Sequence, residues 1–204
     1  MKKLINSITY TQTIKKSVFI TNLIPVFSVD DAKEQLKEIK KKHYDATHNC
    51  YSYIISSDND SIKYSDDGEP SQTAGIVIYN VLEKNDLTNI LAIVTRYYGG
   101  IKLGAGGLIR AYSTSISEAL KLATIEEIID YQYYKIVTDY ETANILNRFL
   151  ENYNIIDKKF QTKVTLIFKI IASEATQFLE QATNYSKGEA EISLLDDSIY
   201  NKNL

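Results

Sequence analysis

The pattern of apolar and polar positions along the chain changes rhythm once. In the first stretch, residues 7–13 (SITYTQT) and 17–27 (SVFITNLIPVF) are rich in β-branched and aromatic side chains and predict two strands. Ser28 stands three residues before Asp31, the spacing of a helix start, and Val29, Ala32, Leu36 and Ile39 follow at helical spacing. Lys40, Lys41 and Lys42 close that helix, where cations complement the dipole or form a phosphate-binding patch. Residues 48–56 (HNCYSYIIS) predict a strand, followed by a polar connection and the acidic stretch SDDGEPSQTAG at 65–75. A short helix is expected over 76–84 and a buried strand over 89–97 (NILAIVTRY). Leu108, Tyr112, Ser115, Ala119 and Ala123 then form one stripe of a helix, widened by Ile109, Ile116 and Leu120.

After about residue 128 the periods shorten. A strand is expected over 132–139, and Ala143, Leu146, Leu150 and Tyr153 mark a helix. Strands follow over 155–161 and 163–171, then a helix through Ala175, Phe178, Leu179 and Ala182, and a last strand over 189–195. The order β-α-β-β-α-β is that of a ferredoxin-like split βαβ unit. The fold class expected is therefore α+β in two domains, 1–128 and 129–204.

Composition narrows the function classes. The 204 residues are 44% hydrophobic and 24% charged, ordinary for a globular protein. No apolar run approaches the length that spans a bilayer, and the opening MKKLINSITYTQT lacks a signal-peptide core, so no membrane partner is expected and the cytoplasm is the expected compartment. A single cysteine, Cys50, rules out an internal disulfide framework. Net charge is −3, and residues 1–130 carry 15 Lys and Arg against 16 Asp and Glu, so any nucleic-acid binding must rest on a local patch.

One stretch concentrates backbone freedom and positive charge. Five of the chain's eight glycines, Gly99, Gly100, Gly104, Gly106 and Gly107, lie in RYYGGIKLGAGGLIRAYS (96–113), with Arg96, Lys102 and Arg110 beside them. The helix is expected to begin near Gly106–Gly107 with no Ser, Thr, Asp or Asn placed to cap it. Its first amides then lack partners at the positive end of the dipole, which makes an anion site. Arg110 in the first turn is unfavourable on dipole grounds unless an anion sits there. That anion is either internal, from Asp66, Asp67 or Glu69, or external, a phosphate of a nucleotide or of RNA. Neither the Walker pattern nor the dinucleotide fingerprint fits: Ala105 follows Gly104, and Ile109 stands at the third small position.

Other constellations carry less chemistry. His48 and Cys50 share a face of one strand, but no acid is fixed nearby to orient the histidine, and a buried apolar cysteine is the commoner arrangement. His43, His48, Asp66, Asp67 and Glu69 lack zinc spacing; His48 and the acidic trio remain a candidate partner for the basic loop or a magnesium site. No catalytic residue and no resident cofactor is assigned beyond that magnesium.

The segments KKSVFITNLIPV (15–26), HYDATHNCYSY (43–53), SDDGEPSQTAG (65–75) and VTRYYGGIKLGAGGLIRAYS (94–113) resemble the YigZ/IMPACT family, in order and with suitable spacing. The likeness covers roughly residues 10–125 and, through the β-α-β-β-α-β unit, extends to the bacterial two-domain members. It implies a first domain like domain IV of elongation factor G and a second like its domain V. Signature positions carried onto this chain are His48, Asp66, Asp67, Glu69, Thr73, Gly75, Arg96, Tyr97, Gly99, Gly100, Lys102, Gly104, Gly106, Gly107 and Arg110. Gln72 stands where many relatives have glycine, and Ile76–Val77 lacks a proline often found there. The resemblance implies a non-enzymatic, translation-associated regulator. Its expected partners are RNA, the ribosome or a translation-related protein, met through the glycine-rich basic loop: Arg96, Tyr97, Gly99, Gly100, Lys102, Gly104, Gly106, Gly107 and Arg110. The alternative is an enzyme or sensor for a nucleotide or another phosphorylated small molecule, with magnesium.

Overall fold

The computed structural model describes residues 1–56, 61–150 and 153–196. The chain is mixed α+β and divides into two compact units, Met1–Ile128 and Ile129–Leu204.

The first unit is built on a five-stranded antiparallel sheet. Its strands β2 (Ile8–Ile14), β3 (Ser17–Pro25), β7 (Ile90–Tyr97), β4 (His48–Ile55) and β5 (Ser61–Ser65) lie in that order. Helices α2 (Gly75–Lys84) and α3 (Ala105–Leu120) cover one face, where Phe19, Leu23, Cys50 and Val94 meet Ile78, Leu82, Tyr112 and Ile116. Helix α1 (Val29–Lys42) covers the other, packing Ala32, Leu36 and Ile39 on Tyr53, Leu91 and Ile93. Strand β7 is therefore buried on both faces, which is why its sequence is a continuous apolar run rather than an alternation. Ser28 caps α1, accepting the Asp31 amide at 3.1 Å, while the Asp31 carboxylate takes the Phe27 amide at 3.0 Å.

Three differences from the sequence reading have physical causes. Residues 61–65 pair with β4 as an edge strand, where a polar connection was expected; Ile62 and Tyr64 are 51% and 50% exposed, so no buried face advertises the strand. A second, three-stranded sheet of β6 (Leu87–Thr88), β1 (Lys2–Leu4) and β8 (Ile125–Glu127) uses segments too short to show a period. Helix α3 begins at Ala105, ahead of Gly106–Gly107, because Gly104 at φ 73° turns the chain into it.

The second unit runs β9 (Tyr131–Thr138), α4 (Tyr140–Leu150), β10 (Asn154–Phe160), β11 (Val164–Ile171), α5 (Ala175–Tyr185) and β12 (Glu191–Leu195). Its sheet order is β10-β11-β9-β12, all antiparallel. One sheet face, through Tyr134, Ile136, Leu166 and Phe168, packs on Leu146, Leu150 and Phe178 of the two helices. Tyr153, expected to continue α4, lies beyond its end.

Candidate functional site

The N-termini of α2 and α3 are built alike and finished differently. Neither has a capping side chain at its own N-cap residue, Ala74 or Gly104. Asp66 completes α2 from a distance: Oδ1 accepts the amides of Ala74 and Gly75 at 2.9 and 2.8 Å, and Oδ2 that of Gln72 at 2.8 Å. This requires Gly75 to lie hard against β5, since a Cβ there would stand 2.6 Å from the Ser65 backbone. Gln72 takes φ 63°, the left-handed region that favours glycine.

Among the described residues no such carboxylate reaches α3. Its first intrahelical bond runs from the Leu108 amide to the Gly104 carbonyl at 2.9 Å. The amides of Ala105, Gly106 and Gly107 come before it, and Gly104, Ala105 and Gly106 are exposed. The first turn contains no acidic residue. The approach to this end is held by Gly99, whose amide donates to Ser17 Oγ at 3.1 Å. A Cβ on Gly99 would come within 2.0 Å of the Lys16 backbone, so the loop rests directly on the β2–β3 turn, where Lys15 and Lys16 both have positive φ.

A cleft of about 460 Å³ opens at this helix end. Tyr98, Pro70, Leu103 and Leu108 supply apolar wall, Lys102 and Thr47 stand beside them, and Gly104 and Ala105 bring the helix terminus to it. His48, Glu69 and Arg96 contribute the ionisable groups. Arg96, 5% exposed, donates from Nη1 to Glu69 Oε1 at 2.6 Å and lies over the rings of Phe19 and Tyr98. Tyr112 donates to the same Oε1 at 2.8 Å. Glu69 Oε2 lies 3.8 Å from His48 Nε2. Lone lysine, helix terminus and neutralised ion pair leave the cleft net positive without a broad basic face.

The acidic trio disperses. Glu69 meets Arg96, but Asp67 pairs with Lys40 at 2.7 Å and accepts the Asn49 amide, and Asp66 serves α2. Neither Lys102 nor Arg110 receives an acidic partner among the described residues. Nor do three His, Cys, Asp or Glu side chains converge as a metal set among them. Tyr97 points away from the cleft, its hydroxyl donating to Asp45 at 3.0 Å beside His43, and the exposed Arg110 does not line it. Gly100 turns the loop at φ 83°, and Thr73 bonds the Pro70 carbonyl. Cys50 is fully buried against the Asp66 carbonyl and Tyr112; burial pushes its thiol up to about 12, so no thiolate is available for attack. Burial pushes the Tyr112 hydroxyl up as well.

Sequence reasoning did not find Thr47, Pro70, Leu103 or Leu108, which reach the cleft only through the fold. Alternation continued from β7 puts Tyr98, not Tyr97, on the side of Arg96.

Fold and cleft together define a two-unit α+β protein with one uncapped helix terminus facing a concave surface. Residues 15–120 match the Impact N-terminal domain. An IMPACT family member of Haemophilus influenzae is 35% identical over 195 residues, 94% of this chain and 95% of that protein. The IMPACT family member YigZ of Escherichia coli is 31% identical over 194 residues, 93% and 95% of the two chains. A crystal structure described as that of a hypothetical protein is 30% identical, with a TM-score of 0.61 over 96% of this chain and 97% of that one. The chain belongs to the IMPACT family. No helix among the described residues is long and apolar enough to cross a membrane.

Proposed function

We propose that this protein is a non-enzymatic, translation-associated RNA binder that seats a phosphate at the N-terminus of α3. The observation that carries the reading is the contrast between the two helix starts: Asp66 satisfies α2, while α3 starts without a side-chain cap at Gly104 and Ala105, which line the cleft with Lys102. Tyr98, 45% exposed on the wall, offers a base-stacking face. The cytoplasm is where RNA, the ribosome and translation-related protein partners are met.

The finer fold reading supports the same role. The second unit's sheet order, β10-β11-β9-β12, agrees with a ferredoxin-like unit of the kind in domain V of elongation factor G, and the first unit is read as the counterpart of domain IV. Such analogy concerns folds and raises only the prior for a ribosomal setting. With no metal set among the described residues, magnesium would arrive with a phosphate rather than wait in a carboxylate cage.

The test is fluorescence anisotropy of a labelled single-stranded RNA against the full chain over a range of salt. Binding at low salt that weakens as salt rises, and is reduced by Lys102→Ala, is the expected result. No binding at low salt, or a Lys102→Ala variant that binds as well as the wild type, refutes it.

A further inference from the structure

One buried donor in the cleft wall has no acceptor. Arg96 is 5% exposed and lines the cleft. Its Nη1 donates to Glu69 Oε1 at 2.6 Å and its Nη2 to Ser17 Oγ at 3.4 Å, but its Nε, itself buried, has no partner among the described residues. Buried donors are nearly always paired, so this one points to an acceptor that arrives from outside. Two rings lie over the guanidinium. Phe19 is fully buried in the core, whereas Tyr98 is half-exposed and lines the cleft, so an incoming oxygen reaches Nε past Tyr98.

That acceptor shares the cleft with donors of a second kind. Gly104 and Ala105 bring the uncapped start of α3 to it, and Lys102 stands beside them. Glu69, the acidic residue of the cleft, is held by Arg96 and Tyr112, so its charge and that of Arg96 largely cancel. The attraction left is concentrated at Lys102 and the helix terminus, not spread along a track of cations. A strand running through would leave its neighbouring phosphates unmatched at the cleft. One group with several oxygens and more than one charge uses the site better. An internal phosphodiester has two free oxygens, one charge and a ribose on either side. A terminal phosphomonoester has three free oxygens, nearly two charges at pH 7 and chain on one side only. It supplies one oxygen to Nε in the wall while the others meet α3 and Lys102. A cleft of about 460 Å³ has the size for one nucleotide.

We propose that the cleft takes the phosphomonoester end of a single RNA strand, its terminal phosphate bridging the start of α3, Lys102 and Arg96 Nε. The proposal deepens the RNA reading of the cleft and rests on it. The 5′ and the 3′ ends of a strand can each carry this group, and a free nucleoside monophosphate presents it too. Tyr98 at the wall gives the last base a face to stack on.

Calorimetric titration of the full chain with one short oligoribonucleotide, carrying a 5′-phosphate, a 3′-phosphate or hydroxyls at both ends, tests this without any variant. One phosphorylated form is expected to bind at least about tenfold tighter than the hydroxyl-ended strand, because it adds a charge-assisted bond to Nε; which form does so names the end. Side-chain resonances supply a second readout. The chain has three arginines, Arg96, Arg110 and Arg148, so Arg110→Lys and Arg148→Lys, made singly, identify the Arg96 Nε–H signal by elimination. That signal should shift on saturation with the phosphorylated strand and stay in place with the hydroxyl-ended one. Equal affinities for the three strands overturn the proposal while leaving the RNA reading in place. Tighter binding of a phosphorylated strand with an unmoved Arg96 signal overturns it as well, since the end then sits elsewhere. UMP that binds and shifts the signal when no strand binds places a free phosphomonoester there and refutes both the strand end and the RNA reading. If neither UMP nor any strand binds, both fail.

Discussion

Ala105→Asp separates a binding terminus from a merely structural one. Ala105 is the first residue of α3, exposed, and lines the cleft. A carboxylate there supplies the anion that Asp66 supplies to α2, so the helix itself should gain about 0.3–1 kcal/mol from its dipole. For a chain of this size that raises Tm by about 1–4 °C. The same charge confronts an incoming phosphate. At a separation of about 5 Å the repulsion is about 3 kcal/mol at an effective dielectric near 20 and about 1 kcal/mol in bulk water. Affinity for RNA should therefore fall about five- to a hundred-fold. Ala105→Asn, of the same size and uncharged, should bind close to wild type. Scanning calorimetry and anisotropy measure the two effects on the same samples. An Asp variant that binds like the wild type, or an Asn variant that loses as much as Asp, refutes the reasoning.

The remaining expectations concern the supporting structure. Glu69→Ala strands Arg96 as an uncompensated buried charge and should cost about 3–5 kcal/mol in urea unfolding; a loss under about 1 kcal/mol would show the pair to be well hydrated. Gly99→Ala should destabilise by about 1–3 kcal/mol or more, because the new methyl meets backbone at Lys16 that has no rotamer to give. Cys50 gives a pH dependence of defined sign. Its ordinary value of 9.0 is raised to about 12 by burial, so above pH 9 the unfolded chain releases a proton that the folded chain keeps. Stability is full below pH 9 and falls by up to about 1.4 kcal/mol per pH unit towards 12, with Tyr112 adding the same sign above 10. Urea midpoints at pH 8, 9 and 10 should decline above 9, and less so in Cys50→Ala; a flat series contradicts the burial argument.

What could be read from the sequence was what neighbouring residues decide. The glycine loop, the missing cap of α3 and the double-sided burial of β7 are local or periodic, and each was legible. The Ser28 cap was legible for the same reason. Strand β5 was hidden because its apolar side chains face solvent, and the three-stranded sheet because two or three residues cannot show a period. The acidic group posed a harder problem. Three carboxylates and several cations allow many pairings, and only the register of β4 on β7, with His48 opposite Arg96, selects Glu69 for Arg96. That choice frees Asp66 for α2 and Asp67 for Lys40, which no spacing rule anticipates. The walls of the cleft come from segments far apart in the chain, so its shape was not readable at all.

The central claim is that the first amides of α3 receive an external anion while those of α2 do not. Amide chemical shifts of the labelled protein, followed during titration with single-stranded RNA, report both helix starts in one spectrum. The account predicts large, saturable shifts at Ala105, Gly106 and Gly107 and none at Gly75, whose amide Asp66 already holds. Shifts absent from the α3 amides while RNA binds elsewhere, or equal at the two helix starts, would contradict it.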